Sequence, residues 1–321
     1  MNQPIWHILG FGAIGQILHS GFAEKGQRCK VIARADRDQS DIDSVSRDGD
    51  TDLVRKDGDT DRVRKHGDTH RVTRNDQTRE IPIEWVKVAE TGPIAHLLVC
   101  TKSYDAIEAI QSVSKGLSAD SQIIILMNGM LDTQDVKAAS KGAQIYWGLT
   151  TEGGYRTSPF RTIHAGTGLT KVGGGDRPPW FDYWLEAHPR SEWVEDIEPH
   201  RWQKLCINAA INPLTALHAC LNGELMNEPL ANKTQELIAE LSMLLTAKGY
   251  TEIADAFPAA CREVIQRTAQ NQSSMRQDTK NQKKTEVDLI VPPLLSLARE
   301  KGIASPALNQ IYRDFTHQFR V

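Results

Sequence analysis

The apolar run Ile5-Trp6-His7-Ile8-Leu9 breaks directly into Gly10-Phe11-Gly12-Ala13-Ile14-Gly15. Apolar residues then recur at helical spacing from Ile14 to Lys25, where Gly26 ends the pattern. A second apolar run, Cys29 to Ala33, follows. Strand, glycine turn, helix, strand is the setting in which G-x-G-x-x-G has a physical meaning. The first glycine permits the tight turn, the second lets backbone approach a diphosphate, and the third lets helix pack closely on strand. Free N–H groups at the start of the helix face the phosphates. The spacing predicts a dinucleotide site on Gly10, Phe11, Gly12, Ala13, Ile14 and Gly15. At the end of the second strand an acid would suit the ribose hydroxyl of NADH and an arginine the 2′-phosphate of NADPH. That place holds Arg34, with Asp36 two residues on, so NADPH is the expected cofactor.

The chain between the second strand and the next apolar run is unusual. From Asp48 to Arg74 a nonapeptide recurs three times, with Gly49, Gly58 and Gly67 nine residues apart. Calcium-binding β-rolls need two glycines per unit and a long array, which this segment lacks. Its Asp-Gly and His-Gly steps are turn signals and its large apolar residues are few, so an exposed β-ribbon or disordered insertion, dispensable for folding, is expected at about 47–74.

Beyond it, apolar strands are expected over Ile94–Thr101 and Gln122–Met127, each followed by polar residues: Lys102-Ser103-Tyr104-Asp105 and Asn128-Gly129-Met130. In an open parallel sheet the C-terminal strand ends face the ligand, which makes Lys102 and Asn128 candidate cofactor or substrate contacts. Tyr146–Gly154 and Thr162–Gly175 alternate apolar and small residues and are expected to extend the sheet. After Glu198-Pro199 glycine becomes rare and helical periodicity takes over, in segments 200–220, 232–248, 252–271, 284–301 and 306–318. The first of these places Lys204, Asn208 and Asn212 at i, i+4 and i+8, on one face. A solvent-facing stripe is the plain reading. The flanking residues are small and apolar, however, and asparagine costs about 0.5 kcal/mol more than alanine inside a helix. A lysine so placed can donate a proton to a ketone oxygen as hydride arrives, while neutral asparagines hold the substrate.

With 321 residues the chain has room for two domains, and 25% charged residues with a net charge of −3 give no footprint for nucleic acid or an anionic membrane. The apolar N-terminal run is too short for a secretory signal, and no run approaches the roughly 20 residues of a membrane span, so a cytoplasmic location is expected. Five scattered cysteines without a C-x-x-C pair argue for reduced core thiols and against a disulfide framework or thiolate metal site.

The segments quoted above, together with the run from Lys204 through Asn212-Pro213-Leu214-Thr215-Ala216, Asn222-Gly223-Glu224-Leu225, Ser273-Ser274-Met275-Arg276-Gln277-Asp278 and Thr285-Glu286-Val287-Asp288, resemble in order and spacing the ketopantoate reductase (2-dehydropantoate 2-reductase) family over about residues 5–312. The resemblance implies an α/β fold, with a Rossmann-type NADP-binding domain at 1–196 and an all-α domain at 197–321. It implies NADPH-dependent reduction of a small 2-keto acid by a monomer or homodimer, with no nucleic-acid or membrane partner and no metal. Lys204 would be the proton donor. Asn208, Asn212, Asn222 and Ser274 would hold the substrate. Lys102, Asn128 and Glu286 would line the cofactor and catalytic cleft, and the Gly154 backbone would lie near the nicotinamide. A reductase of another branched 2-keto acid and a non-catalytic NADP-binding sensor are the alternatives. One departure stands out: the family continues past Thr-Glu-x-Asp with Ile-Asn-Gly, whereas Ile290-Val291-Pro292-Pro293 follows here, and the prolines are expected to kink or restart the helix and disturb Glu286.

Overall fold

The computed structural model describes residues 4–33 and 69–319. Arg34, Asp36 and most of the repeat lie outside the described residues. The chain divides into two compact units.

The first unit comprises, among the described residues, 4–33, 69–101, 105–127 and 133–195. Its larger sheet is built on β1 (Trp6–Leu9), which pairs in parallel with β2 (Cys29–Ala33) and β6 (His96–Val99). Outward from these run β5 (Glu84–Lys87) on one side, and β7 (Gln122–Leu126) and β8 (Gln144–Thr150) on the other, all parallel. Next to β8, β11 (Thr170–Gly173) runs antiparallel, and β12 (Ser191–Val194) closes the order β12-β11-β8-β7-β6-β1-β2-β5. Every residue of β1 is buried, as central parallel strands covered on both faces require. Trp6 stacks on Phe22 at 5.6 Å and meets Trp180 and Trp184 edge-on.

A second sheet, in the order β4-β3-β10-β9, joins β3 (Thr69–Arg74), β4 (Gln77–Pro82), β9 (Gly153–Ser158) and β10 (Arg161–Gly166). This corrects two expectations. The strands expected to extend the main sheet divide: β8 and β11 do so, whereas β9 and β10 leave it. The last residues of the repeat, moreover, are no exposed ribbon, since β3 buries His70 completely and Val72 almost so. The reason lies in α1 (Ala13–Glu24), where residues 15–20 and Phe22 are all buried, because the helix packs against both sheets. Leu18 and Phe22 enter the tryptophan core. The Gln16 amide donates to Pro159 O at 2.7 Å and accepts from Thr162 Oγ1 at 2.8 Å, and His19 Nδ1 meets His70 Nε2 at 2.9 Å. Short helices α2 (Ala106–Ser112), α3 (Thr133–Ala139) and α4 (Phe181–Ala187) complete the unit.

The second unit takes residues 196–319 and also Lys102–Tyr104 and Asn128–Asp132. Its axis is α5 (Glu198–Leu217), which buries Leu205, Cys206, Ala209, Ala210, Ile211 and Leu214. Packed with it are α6 (Ala231–Ala247), α7 (Thr251–Arg267), the short α8 (Ser274–Lys280), α9 (Val287–Lys301) and α10 (Pro306–Phe319). The expected break at Pro292-Pro293 does not occur, and α9 runs unbroken through both prolines. Proline at 293 removes the N–H that would bond the Leu289 carbonyl. That carbonyl instead accepts from Met130 N at 2.8 Å. The turn so pinned requires glycine at 129, where φ is +80° and a Cβ would sit 2.8 Å from Leu289 O.

Candidate active site

In the first unit, the glycine turn has the shape that a diphosphate needs. Gly10 has φ +99°, and a Cβ there would fall 2.6 Å from Cys100 C and Thr101 N. At Gly15 a Cβ would fall 2.3 Å from Gly10 O, whereas beside Gly12 the space is open. Gly12 caps α1 without a side-chain hydrogen bond, and the first turn carries no acid, so the leading N–H groups are left for an anionic ligand. Phe11 contributes backbone to the turn while its ring packs edge-on against His19, His70 and Trp85. Gly154 packs on α1, where a Cβ would come within 2.5 Å of Ile17 Cδ1.

In the second unit, charge converges on Glu286, the residue that precedes α9. Only 5% of it is exposed. Its Oε1 accepts from Ser103 N at 3.0 Å and from Ser103 Oγ at 2.9 Å, and its Oε2 accepts from Asn128 Nδ2 at 3.4 Å. Lys102 Nζ lies 3.5 Å from Oε2 and donates to Asp278 Oδ2 at 2.6 Å. Burial alone would lower the Lys102 pKa, but Glu286 and Asp278 outweigh it and hold that ammonium above the ordinary lysine value. Burial raises the Asp278 carboxyl, against the pull of Lys102. Lys204, half-buried on α5, differs: burial pushes its pKa from 10.5 down to about 8, and the field of Glu286 opposes the fall. One lysine therefore stays charged throughout the neutral range, and the other is poised to give up a proton within reach of it.

The candidate residues sort clearly. Lys102, Asn128 and Glu286 are brought together, with Lys204 in the field of Glu286. Asn208 and Asn212 share the Lys204 side of α5 by their spacing, and Asn208 Nδ2 is buried with no hydrogen-bond partner. Asn222 donates from Nδ2 to Thr268 Oγ1 at 2.9 Å, while its buried Oδ1 has no partner. Such atoms are costly unless a ligand satisfies them. Ser274 is exposed as the first residue of α8. Its neighbour Ser273 is buried, caps α8 by accepting from Arg276 N at 3.1 Å, and is tied to α5 by Thr215 Oγ1 at 2.7 Å. Sequence reasoning gave no role to Ser103 or Asp278. The signal for Asp278 was its position four residues after Ser274, on the same face of a helix too short to show periodicity.

Among the described residues no helix is long and apolar enough to cross a membrane, and no group of three or more His, Cys, Asp or Glu is placed to hold a metal ion.

A parallel sheet with a glycine turn at its first strand, and a helical unit carrying a lysine-carboxylate cluster, define the architecture of two-unit α/β dehydrogenases and reductases. A 2-dehydropantoate 2-reductase from Geobacter metallireducens shares this fold with a TM-score of 0.81, at 18% identity, over 98% of this chain and 100% of its own. A D-mandelate dehydrogenase in a ternary structure with NADH and anilino(oxo)acetate shares it with a TM-score of 0.80, at 17% identity, over 98% of both chains. The chain belongs to the ketopantoate reductase family of oxidoreductases: residues 6–177 match the family model Ketopantoate reductase PanE/ApbA, and residues 196–317 match its C-terminal counterpart. The 2-dehydropantoate 2-reductase of Yersinia pestis is 33% identical over 221 residues, which span 67% of this chain and 71% of that relative.

Proposed function

We propose that the protein reduces 2-dehydropantoate to (R)-pantoate with NADPH, the reductive step toward pantothenate and coenzyme A, and that Lys204 is the proton donor. The observation that carries this reading is the placement of Lys204 on α5, in line with Asn208 and Asn212 and in the field of the Glu286 carboxylate, where burial pushes its pKa down to about 8. Its relatives bear the name of that activity. Reduction of a ketone places negative charge on oxygen, and an ammonium with a near-neutral pKa both stabilises that charge and releases a proton to it.

The backbone of Gly10, Phe11, Gly12, Ala13, Ile14 and Gly15 would hold the dinucleotide diphosphate, with Gly154, Lys102 and Asn128 as further contacts and Arg34 for the 2′-phosphate. When bound, the reduced dinucleotide supplies the hydride. Glu286 keeps Lys204 charged at neutral pH and orients Asn128 and Ser103. Lys102, clamped by Asp278, supplies fixed positive charge that does not titrate with Lys204. Asn208 Nδ2 and Asn222 Oδ1, one donor and one acceptor, match a substrate that carries both carboxylate and hydroxyl; Asn212 and Ser274 complete the set.

A second reading, reduction of a different 2-keto acid, is favoured by the likeness to D-mandelate dehydrogenase. Initial rates of NADPH oxidation with ketopantoate, ketoisovalerate and phenylglyoxylate separate the two. The proposal expects catalytic efficiency highest with ketopantoate by at least about tenfold, as lost substrate hydrogen bonds cost. Equal or greater efficiency with either other acid overturns it.

A further inference from the structure

One buried histidine–carboxylate pair lies outside both parts of the site described above. Glu152 follows β8, and His164 stands in β10. His164 Nε2 donates to Glu152 Oε2 at 2.5 Å, and the two side chains are only 7% and 13% exposed. Among the described residues no other hydrogen bond reaches the Glu152 carboxylate.

The pair is held at a defined place. Since β1, β6, β7 and β8 are parallel, β8 ends on the same sheet edge as the glycine turn that follows β1. There Glu152 N donates to Thr150 Oγ1 at 3.1 Å, which fixes the corner. His164 is registered opposite Gly154 across the antiparallel β9–β10 pair, and opposite residues share a face. A Cβ on Gly154 would point at Ile17 Cδ1 and at Ala13 Cβ, 2.5 and 3.8 Å away, so this face is turned to the first turns of α1. Glu152 and His164 thus stand beside the helix start that would hold the dinucleotide.

A buried carboxylate is costly unless its oxygens are hydrogen-bonded, and the one histidine donor leaves acceptor capacity on Glu152 unused. A carboxylate is a poor neighbour for phosphate. It suits a part of the ligand that donates hydrogen bonds, and at the reacting end of NADPH, whose dihydropyridine ring is uncharged, that part is the carboxamide NH2. We infer that Glu152, positioned by His164, accepts a hydrogen bond from the nicotinamide carboxamide and thereby sets the orientation of the ring. The inference rests on the dinucleotide reading above.

The test titrates NADPH and its reduced 3-acetylpyridine analogue, which lacks the amide N–H, into wild type, Glu152→Ala, Glu152→Gln and His164→Ala by calorimetry, with adenosine 2′,5′-bisphosphate as the half-ligand. Wild type should bind NADPH at least about tenfold more tightly than the analogue, the worth of a charge-assisted hydrogen bond. Glu152→Ala should lose that preference by weakening NADPH alone, with the analogue and the bisphosphate unchanged. Glu152→Gln keeps the size and a neutral acceptor, guards against loss of folding in the alanine variant, and should lose about fivefold for NADPH only. His164→Ala should reduce the same ratio, because the carboxylate loses its anchor. An unchanged NADPH-to-analogue ratio in the Glu152 variants overturns the inference while leaving the dinucleotide site standing. Wild type that binds neither NADPH nor the bisphosphate overturns the parent reading and this one with it.

Discussion

Glu286→Gln probes the electrostatic design of the site with almost no change of shape. Ser103 N and Oγ can go on donating to the remaining carbonyl oxygen, so the start of α9 should persist. The new amide NH2, however, would face Asn128 Nδ2 and Lys102 Nζ, both donors, at a cost of about 1–3 kcal/mol. The larger consequence concerns Lys204. Burial lowers it from 10.5 to about 8, and the charge of Glu286 is the force that raises it. An opposite charge of this kind is worth about one unit or more. Its removal should therefore move the alkaline limb of kcat/KM for ketopantoate reduction, set near pH 8 in wild type, down by at least about one pH unit. At pH 8 that depletes the protonated lysine about fivefold, on top of any loss from disordered neighbours. Initial rates of NADPH oxidation from pH 6 to 10, at subsaturating ketopantoate, measure the limb in the free enzyme. A limb that stays at the same pH in the variant, whatever the fall in rate, refutes the coupling of Glu286 to Lys204.

Asp278→Asn should leave the folded state intact but loosen Lys102; its expected signature is a rise of about tenfold in the dissociation constant for NADPH with the pH limb unmoved, measured by fluorescence titration. Asn208→Ala removes a buried donor that has no partner, so the free energy of urea unfolding should hold within about 0.5 kcal/mol of wild type while KM for the keto acid rises about tenfold; loss of stability without change in KM would mark Asn208 as structural. Acid should weaken the fold through buried neutral histidines. Burial lowers His19 and His96 to about 4, and His70 and His188 to about 3, from 6.5. The unfolded chain thus binds more protons below pH 6.5, and stability, complete above that value, declines as pH falls toward 4. Each such histidine costs about 2 kcal/mol at pH 5. Urea midpoints at pH 7 and pH 5 should differ accordingly, and less so in His70→Gln.

Much of this architecture is legible in the residues themselves, because it rests on local signals. The glycine turn from Gly10 to Gly15 sits between an apolar run and a helix-period run, and α1, β2 and β7 fall where those runs place them to within a residue or two. The long helices of the second unit carry periodic apolar faces and are equally plain. What the sequence hides is decided by distant contacts. Whether β9 and β10 extend one sheet or build another depends on α1 being buried on two faces, one of which carries the polar Gln16 and His19, and those residues read as a solvent face until their distant partners are known. The prolines of α9 look like a break because local rules register the missing N–H; the Met130 N–H that takes up the Leu289 carbonyl comes from a segment some 160 residues away. Asp278 escaped notice for a similar reason, since its partner Lys102 lies 176 positions earlier.

Lys204→Ala, assayed for turnover of ketopantoate and separately for NADPH binding, tests the central claim most directly. Loss of the proton donor should lower kcat by at least about two orders of magnitude, with the dissociation constant for NADPH within about twofold of wild type, since the glycine turn is untouched. Turnover within a few-fold of wild type would contradict the assignment of Lys204.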